Sequence, residues 1–201
     1  MTTTSQQKEE KTRELIIKTA QQLFQRDGLH EVTMEGIAEA TGKAKSSLYY
    51  YYRSKEEIWD SVMDIEINEI VTDISQAVNK SRTTEEKIRA FCGTMVKSLR
   101  KKRTLYNIAY GGNIVVKRNR STGGIRKRFV QRESVLFNEI LLEGIKNGEL
   151  RPLNAKDQEI MVFVLLSGLK GLEKEMVLEK DYNLDPAINA LSHMIINGLK
   201  I

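Results

Sequence analysis

The sequence is poor in the residues that break or cross-link a chain. Of 201 residues only Pro152 and Pro186 are proline, and Cys92 is the sole cysteine. With so few breakers and abundant Glu, Lys, Leu, Ile and Ala, long helices are predicted. A lone thiol excludes an intrachain disulfide and fits a reducing compartment; its commonest role is that of a small apolar core residue. Histidine is almost absent as well, with only His30 and His193. There is no Cys/His cluster, no phosphate-binding glycine loop and no nucleophile motif, so no metal, cofactor or catalytic residue is expected and the chain does not read as an enzyme. Acidic pairs such as Glu56 and Asp60 have the spacing of helix-surface charge. The longest unbroken apolar run, 160–166, has seven residues, against roughly 20 needed to cross a bilayer. Residues 1–14 lack the apolar centre of a signal peptide. The expected compartment is the cytoplasm, with no membrane partner.

What is present is an all-helical pattern. Hydrophobic residues make up 40% and charged residues 29%, enough for a buried core beneath salt-bridged outer faces. Leu15, Ile16, Ala20, Leu23 and Phe24, with Thr19 beside them, form an apolar stripe on a helix predicted over 8–26, stopped by Gly28. Thr33 is an N-cap, and Val32 and Ile37 flank it as a hydrophobic staple for a short helix ending at 40–41. Gly42 permits a tight turn, and a third short helix begins near Ala44. Ser54 with Glu57 and Thr83 with Glu86 read as capping boxes opening two longer helices. The first runs through Ile58, Val62, Ile65, Ile70 and Ile74, and the second runs to about 101. A shorter helix is predicted over 104–110, a loop over 111–124, and helices over 125–147 and, capped by Asn154, over 155–178. Asp185 as an acidic cap and Pro186 at the first helical position start the last helix, with Ile188, Leu191, Ile195 and Leu199 on one face. About nine helices result, with no repeat and no convincing strand.

Two short helices joined by a glycine turn fit a helix-turn-helix, whose second helix enters the major groove. Residues 43–55 carry four basic side chains and no acid, together with hydroxyls suited to phosphates and base edges. Leu48 and Tyr52 are four apart and can pack inward, which projects Lys45, Ser46 and Tyr50 outward. Lys55, in the first turn of the next helix, opposes the helix dipole unless an anion is bound nearby.

The segment 33–42 (Thr-Met-Glu-Gly-Ile-Ala-Glu-Ala-Thr-Gly), then Leu48 with Tyr49 to Tyr52, then Ser54-Lys55-Glu56-Glu57-Ile58, closely resembles the TetR family of bacterial transcriptional regulators. The likeness extends over about 12–63. It implies phosphate contacts from Thr33, Ser47, Tyr49 and Lys55, and base-edge or groove contacts from Lys45, Ser46 and Tyr50. Lys43, Ala44 and Ser46 depart from the family's usual small apolar residue, serine and glycine. They suggest a different operator preference and leave open whether Lys43 meets DNA or solvent. The resemblance also implies an N-terminal helix-turn-helix domain over 8–54, with the motif itself at about 33–52. A helical effector-binding and dimerisation domain over 55–201 would follow. The implied function is that of a homodimeric repressor, bound to double-stranded palindromic DNA and released by a small-molecule effector. A helical protein-binding adaptor using the motif as scaffold is the alternative.

The residues of the second half allow this independently. The run 160–166 is apolar around a whole helix, so a partner subunit can cover what its own chain does not. Phe163, Leu166, Gly168, Leu191 and Ile195 are the candidates for that interface, with Gly168 and Gly171 permitting close backbone approach. Residues 87–132 hold fourteen Lys/Arg and no acid, whereas residues 1–60 are net −1. Three readings of this basic stretch stand: an anionic effector such as an acyl-CoA bound by Arg118, Arg120, Arg126 or Arg128; long-range steering of DNA; or a solvated loop. Met95, Tyr106, Tyr110, Phe129 and Phe137 are candidates for an apolar ligand pocket or for ordinary core.

Overall fold

The computed structural model describes residues 4–102, 104–105, 120–178, 183 and 185–199; the side chains of 4, 120–123 and 173–178 are excepted. Among the described residues it is all-helical, with eight helices: α1 (Thr4–Asp27), α2 (Met34–Ala40), α3 (Lys45–Tyr51), α4 (Lys55–Asn79), α5 (Thr84–Lys101), α6 (Arg120–Lys146), α7 (Ala155–Leu178) and α8 (Asp185–Leu199). Most of the helix predicted over 104–110 lies outside the described residues. None of the helices is long and apolar enough to cross a membrane. The chain divides into two compact units, Met1–Glu66 with Thr104–Ile125, and Ile67–Arg103 with Arg126–Ile201.

In the first unit the core is built on spacing of four along α1. Ile16, Ala20 and Phe24 are fully buried, one above another on a single helix face. Leu15, expected on that stripe, is exposed, because one step along the helix turns a side chain by about 100°. Trp59 of α4 closes the core, its ring edge-on to Phe24 at 5.2 Å, the arrangement favoured by aromatic quadrupoles. Ile58 and Val62 complete the apolar face of this part of α4.

In the second unit α5 buries Ile88, Phe91, Cys92, Met95, Val96 and Leu99 on one face. Phe91 meets Phe137 of α6 with ring centroids 5.4 Å apart. Both predicted devices at the start of α5 are present: Thr83 Oγ1 accepts from the Glu86 N–H, and the Glu86 carboxylate accepts from the Thr83 N–H. Cys92 is buried here, and burial pushes its thiol up to about 12, which favours the protonated form at neutral pH. The α8 end is tied down where the Arg151 N–H donates to the Leu199 carbonyl at 2.8 Å.

Two expectations are corrected. α6 begins at Arg120, so 120–124, expected in a loop, are helical; the low propensity of the Gly123-Gly124 pair is a weak prior, and a fully buried Ile125 in the next turn overrides it. Asp185 is the first residue of α8 rather than its cap, and its N–H is taken by the Asn183 side chain at 3.0 Å.

Gly144 marks the tightest approach. A Cβ there would stand 2.6 Å from Thr84 Oγ1 and 2.9 Å from Leu150 Cδ1. Thr84 is itself buried, and its N–H is held by Glu149 at 2.7 Å, so it has little room to yield. Gly144→Ala should therefore lower stability by about 1–3 kcal/mol, the usual cost of overpacking. The check is a shift of the urea midpoint; an unchanged midpoint would show that α6 can move away from α5 freely.

Candidate nucleic-acid interface

The candidate surface is built on two seven-residue helices. α2 starts where Thr33 Oγ1 accepts from the Gly36 N–H at 3.0 Å, and Val32 and Ile37 are buried on either side of that cap, as the staple requires. It ends in two paired bonds: the Lys43 N–H reaches the Ala38 carbonyl at 2.9 Å and the Gly42 N–H reaches the Glu39 carbonyl at 3.0 Å. This is a Schellman closure, and its left-handed position is Gly42, at φ +64°, where a Cβ would be strained. The Thr41 hydroxyl adds bonds to the Ile37 and Ala38 carbonyls. The turn between the helices is thus fixed by backbone geometry.

α3 has one buried residue, Leu48, fully enclosed. Tyr52, just past its end, is the second anchor at 5% exposure. The rest of the helix is turned outward: Lys45 and Ser46 are exposed, Tyr49 is 45% and Tyr50 71% exposed, and Ser47 is half-buried. The structure thus brings Lys45, Ser46, Tyr49 and Tyr50 together on one open surface, with Thr33 and Lys43 exposed at the ends of α2 and its turn. Ala44 at the N-cap offers no side-chain acceptor to the first turn of α3.

Two contacts on this surface were not legible locally. Lys45 forms an ion pair with Glu35 of α2, and its Nζ lies 5.9 Å from the Tyr49 ring centre. The pairing holds the Glu35 carboxyl below its usual range and the Lys45 ammonium above its own. Arg13 of α1 donates to the Tyr51 carbonyl at 3.2 Å and stands over the Tyr51 and Tyr52 rings at 5.3 and 5.6 Å. A cation at a helix C-terminus opposes the negative end of the dipole. Thirty-eight residues separate Arg13 from Tyr51, and no spacing rule reaches that far.

Lys55 has an employment its position in the sequence did not reveal. Its Nζ donates to the carbonyls of Leu29, His30 and Val32 at 2.9, 2.9 and 2.8 Å. An ammonium has three N–H donors, and all three clamp the segment between α1 and α2. That network explains how a lysine is tolerated in the first turn of α4. The same turn is closed where the Glu57 N–H donates to the Ser54 hydroxyl and the Glu57 carboxylate accepts from the Arg53 N–H. A phosphate contact from Lys55 would require one of its carbonyl bonds to be given up.

Only part of the ligand-candidate set lies among the described residues. Met95 and Phe129 are buried and Arg126 is exposed; Tyr106, Tyr110, Arg118 and the Arg120 side chain lie outside the described residues. Phe137 is core against Phe91. A groove of about 690 Å³ runs between α6 and α7, lined by Val130, Val135, Leu142, Val162, Phe163 and Leu166 among others, and none of Met95, Arg126 and Phe129 borders it. Of the interface candidates, Phe163 is 69% exposed and Leu191 and Gly168 are half-buried, with Leu191 packed over Gly168 in the same chain. Leu166 and Ile195 are buried within the chain, Leu166 at the floor of that groove. Ile160, Val164 and Met194, which had not been singled out, are exposed instead.

Lys55→Met should retain the aliphatic stem and lose all three carbonyl bonds, lowering the stability of the DNA-free protein by roughly 1–3 kcal/mol. Thermal denaturation without DNA is the check. An unchanged midpoint would mean that the lysine serves phosphate binding alone.

The family described as "Bacterial regulatory proteins, tetR family" matches residues 16–62, which span the last part of α1 through the first turns of α4. The chain is 22% identical over 170 residues to the nucleoid occlusion factor SlmA of Cronobacter sakazakii, covering 85% of this chain and 84% of that one. Its fold is similar to that of the TetR family transcriptional regulator PfmR from Thermus thermophilus (TM-score 0.63, 19% identity, 92% of this chain and 99% of that). It is also similar to the regulator FadR from Bacillus subtilis, solved in complex with stearoyl-CoA (TM-score 0.71, 18% identity, 92% and 97%). The capped α2, the glycine turn and the outward-facing α3 all lie within residues 16–62, and that segment is a DNA-binding helix-turn-helix domain of the TetR type.

Proposed function

We propose that the chain is a homodimeric repressor that binds a palindromic operator through two copies of α3 and is released by a small-molecule effector. The observation that carries this reading is the α3 surface, where Lys45, Ser46, Tyr49 and Tyr50 stand outward on a helix pinned by Leu48. In this reading residues 8–54 are the DNA-binding domain and 55–201 the effector and dimerisation domain. Lys45, Ser46 and Tyr50 read base edges; Thr33, Lys43, Ser47, Tyr49 and, with a rearranged clamp, Lys55 bond phosphates.

Dimerisation rests on the exposed apolar strip of α7 and α8, where Ile160, Phe163, Val164 and Met194 face outward. Such a strip is costly to leave in water, and a two-fold copy of itself is the simplest cover. The effector is an anionic metabolite of the acyl-CoA kind. Its support is the acid-free basic stretch over 87–132 and the stearoyl-CoA bound to the FadR relative. Binding would favour a conformation with altered spacing between the two recognition helices, and occupancy would fall by the ligand's differential affinity for the two states. The likeness to a nucleoid occlusion factor favours a second reading, in which the DNA-bound chain is a protein-binding adaptor and no small molecule releases it.

Affinity selection of genomic fragments, followed by salt titration of the winners, should return a short palindrome bound with a steep salt slope. A Lys45→Ala, Tyr50→Ala double variant should bind it at least about tenfold more weakly, with helicity and dimerisation unchanged. Equal affinity would remove these residues from the interface. Long-chain acyl-CoA should release the palindrome in the same assay; retention with every acyl-CoA would favour the adaptor.

For the dimer, Phe163→Glu combined with Met194→Lys should give a monomer by light scattering. A variant that stays dimeric would place the interface elsewhere.

A further inference from the structure

The Glu35–Lys45 pair is out of place for a surface that must meet a polyanion. Residues 43–55 contain four basic side chains and no acid, yet the fold returns a carboxylate to one of them, Lys45, from α2. Both partners are largely exposed, at 58% and 53%, so neither is committed to the core. The carboxylate stays ionised, since Lys45 and its own backbone hold it below its usual range. It also sits in the first turn of α2, where the helix dipole favours negative charge. The ammonium also stands 5.9 Å from the centre of the Tyr49 ring.

We propose that Glu35 is a specificity-determining residue: paired with Lys45, it keeps that ammonium off phosphates and leaves it for a neutral acceptor on a base edge. The inference rests on the DNA-binding reading above and deepens it. An ammonium has three donors; the carboxylate takes one and leaves others to point outward. A phosphate approaching Lys45 brings a second negative charge beside Glu35 and is repelled. A neutral acceptor, such as guanine O6 or N7 in the major groove, brings no such charge and can share the ammonium with Glu35. The pair therefore weakens sequence-independent binding more than it weakens base reading, and with residues 1–60 already net −1 it keeps the domain from adhering to DNA indiscriminately.

The test compares the full-length protein with Glu35→Gln, Lys45→Met and the double variant, each titrated against a mixed-sequence duplex over a range of salt. Glu35→Gln should bind the duplex roughly two- to fivefold more tightly, the range for an exposed pair. Its salt slope should be steeper by about one, the signature of one added phosphate contact. In the Lys45→Met background the same change should have no such effect. Wild-type affinity and slope in Glu35→Gln overturn the proposal, as does an equal gain in the Lys45→Met background, which would reduce Glu35 to simple repulsion of DNA. If neither wild type nor Glu35→Gln binds the duplex at any salt, the DNA-binding reading falls and this inference falls with it; binding by both with identical slopes removes only the role of Glu35.

Discussion

A helix of seven residues does not persist in water on its own, because the cost of ordering its first turn is never recovered over so short a length. α3 is such a helix, and the candidate interface depends on what holds it. One buried side chain within it, Leu48, and one just beyond it, Tyr52, fix its inward face. The Schellman closure at Gly42 fixes its entry, and Arg13 fixes its exit at the Tyr51 carbonyl. With position and direction set by those anchors, the remaining side chains need not pack against anything. That freedom is what lets Lys45, Ser46, Tyr49 and Tyr50 face outward. Lys55 supports the same arrangement from behind, bonding three carbonyls ahead of α2.

The electrostatics follow a different logic from the packing. Nucleic-acid binders commonly gain affinity by neutralising phosphates, yet the N-terminal sixty residues are slightly acidic. Charge here is placed rather than accumulated. The turn and α3 carry cations without acids, and the acids lie mainly on the outer faces of α1 and α2. Glu35, the exception, is paired with Lys45 across the two helices. In the proposed reading a domain arranged in this way gains less from nonspecific attraction, and base contacts carry a larger share of recognition.

The second unit shows the two faces that a helix can have. α5 is strongly one-sided, with its apolar residues buried and Arg89, Lys97, Arg100 and Lys101 exposed. Over 160–166 α7 is apolar all round, and the chain covers only part of its apolar surface: Val162, Leu165, Leu166 and Leu169 are inside, whereas Ile160, Phe163 and Val164 are not. The same applies to Met194 on α8. Close packing at Gly144 and Gly168 brings neighbouring helices together inside the unit. The glycines thus serve the core of one chain, while the bulky exposed side chains form the strip proposed for a partner.

Local chemistry made the helices, their caps and the helix-turn-helix readable. Thr33, Gly42, Thr83 with Glu86, and Asn154 act on neighbours within a few residues, and such signals survive in a one-dimensional pattern. So does the inward pair Leu48 and Tyr52, since four residues make one turn. The resemblance over 33–58 added family and function, which periodicity alone does not contain. Contacts between elements were decided by tertiary structure: the Lys55 clamp reaches back over twenty residues, Arg13 reaches Tyr51, and Glu35 meets Lys45. The helical start of α6 and the division of the α7 surface into covered and open sides belong to the same class. In each case the partner is set by how helices pack in space. A lysine or a leucine carries the same local signal whether its partner is water, a carbonyl or another helix.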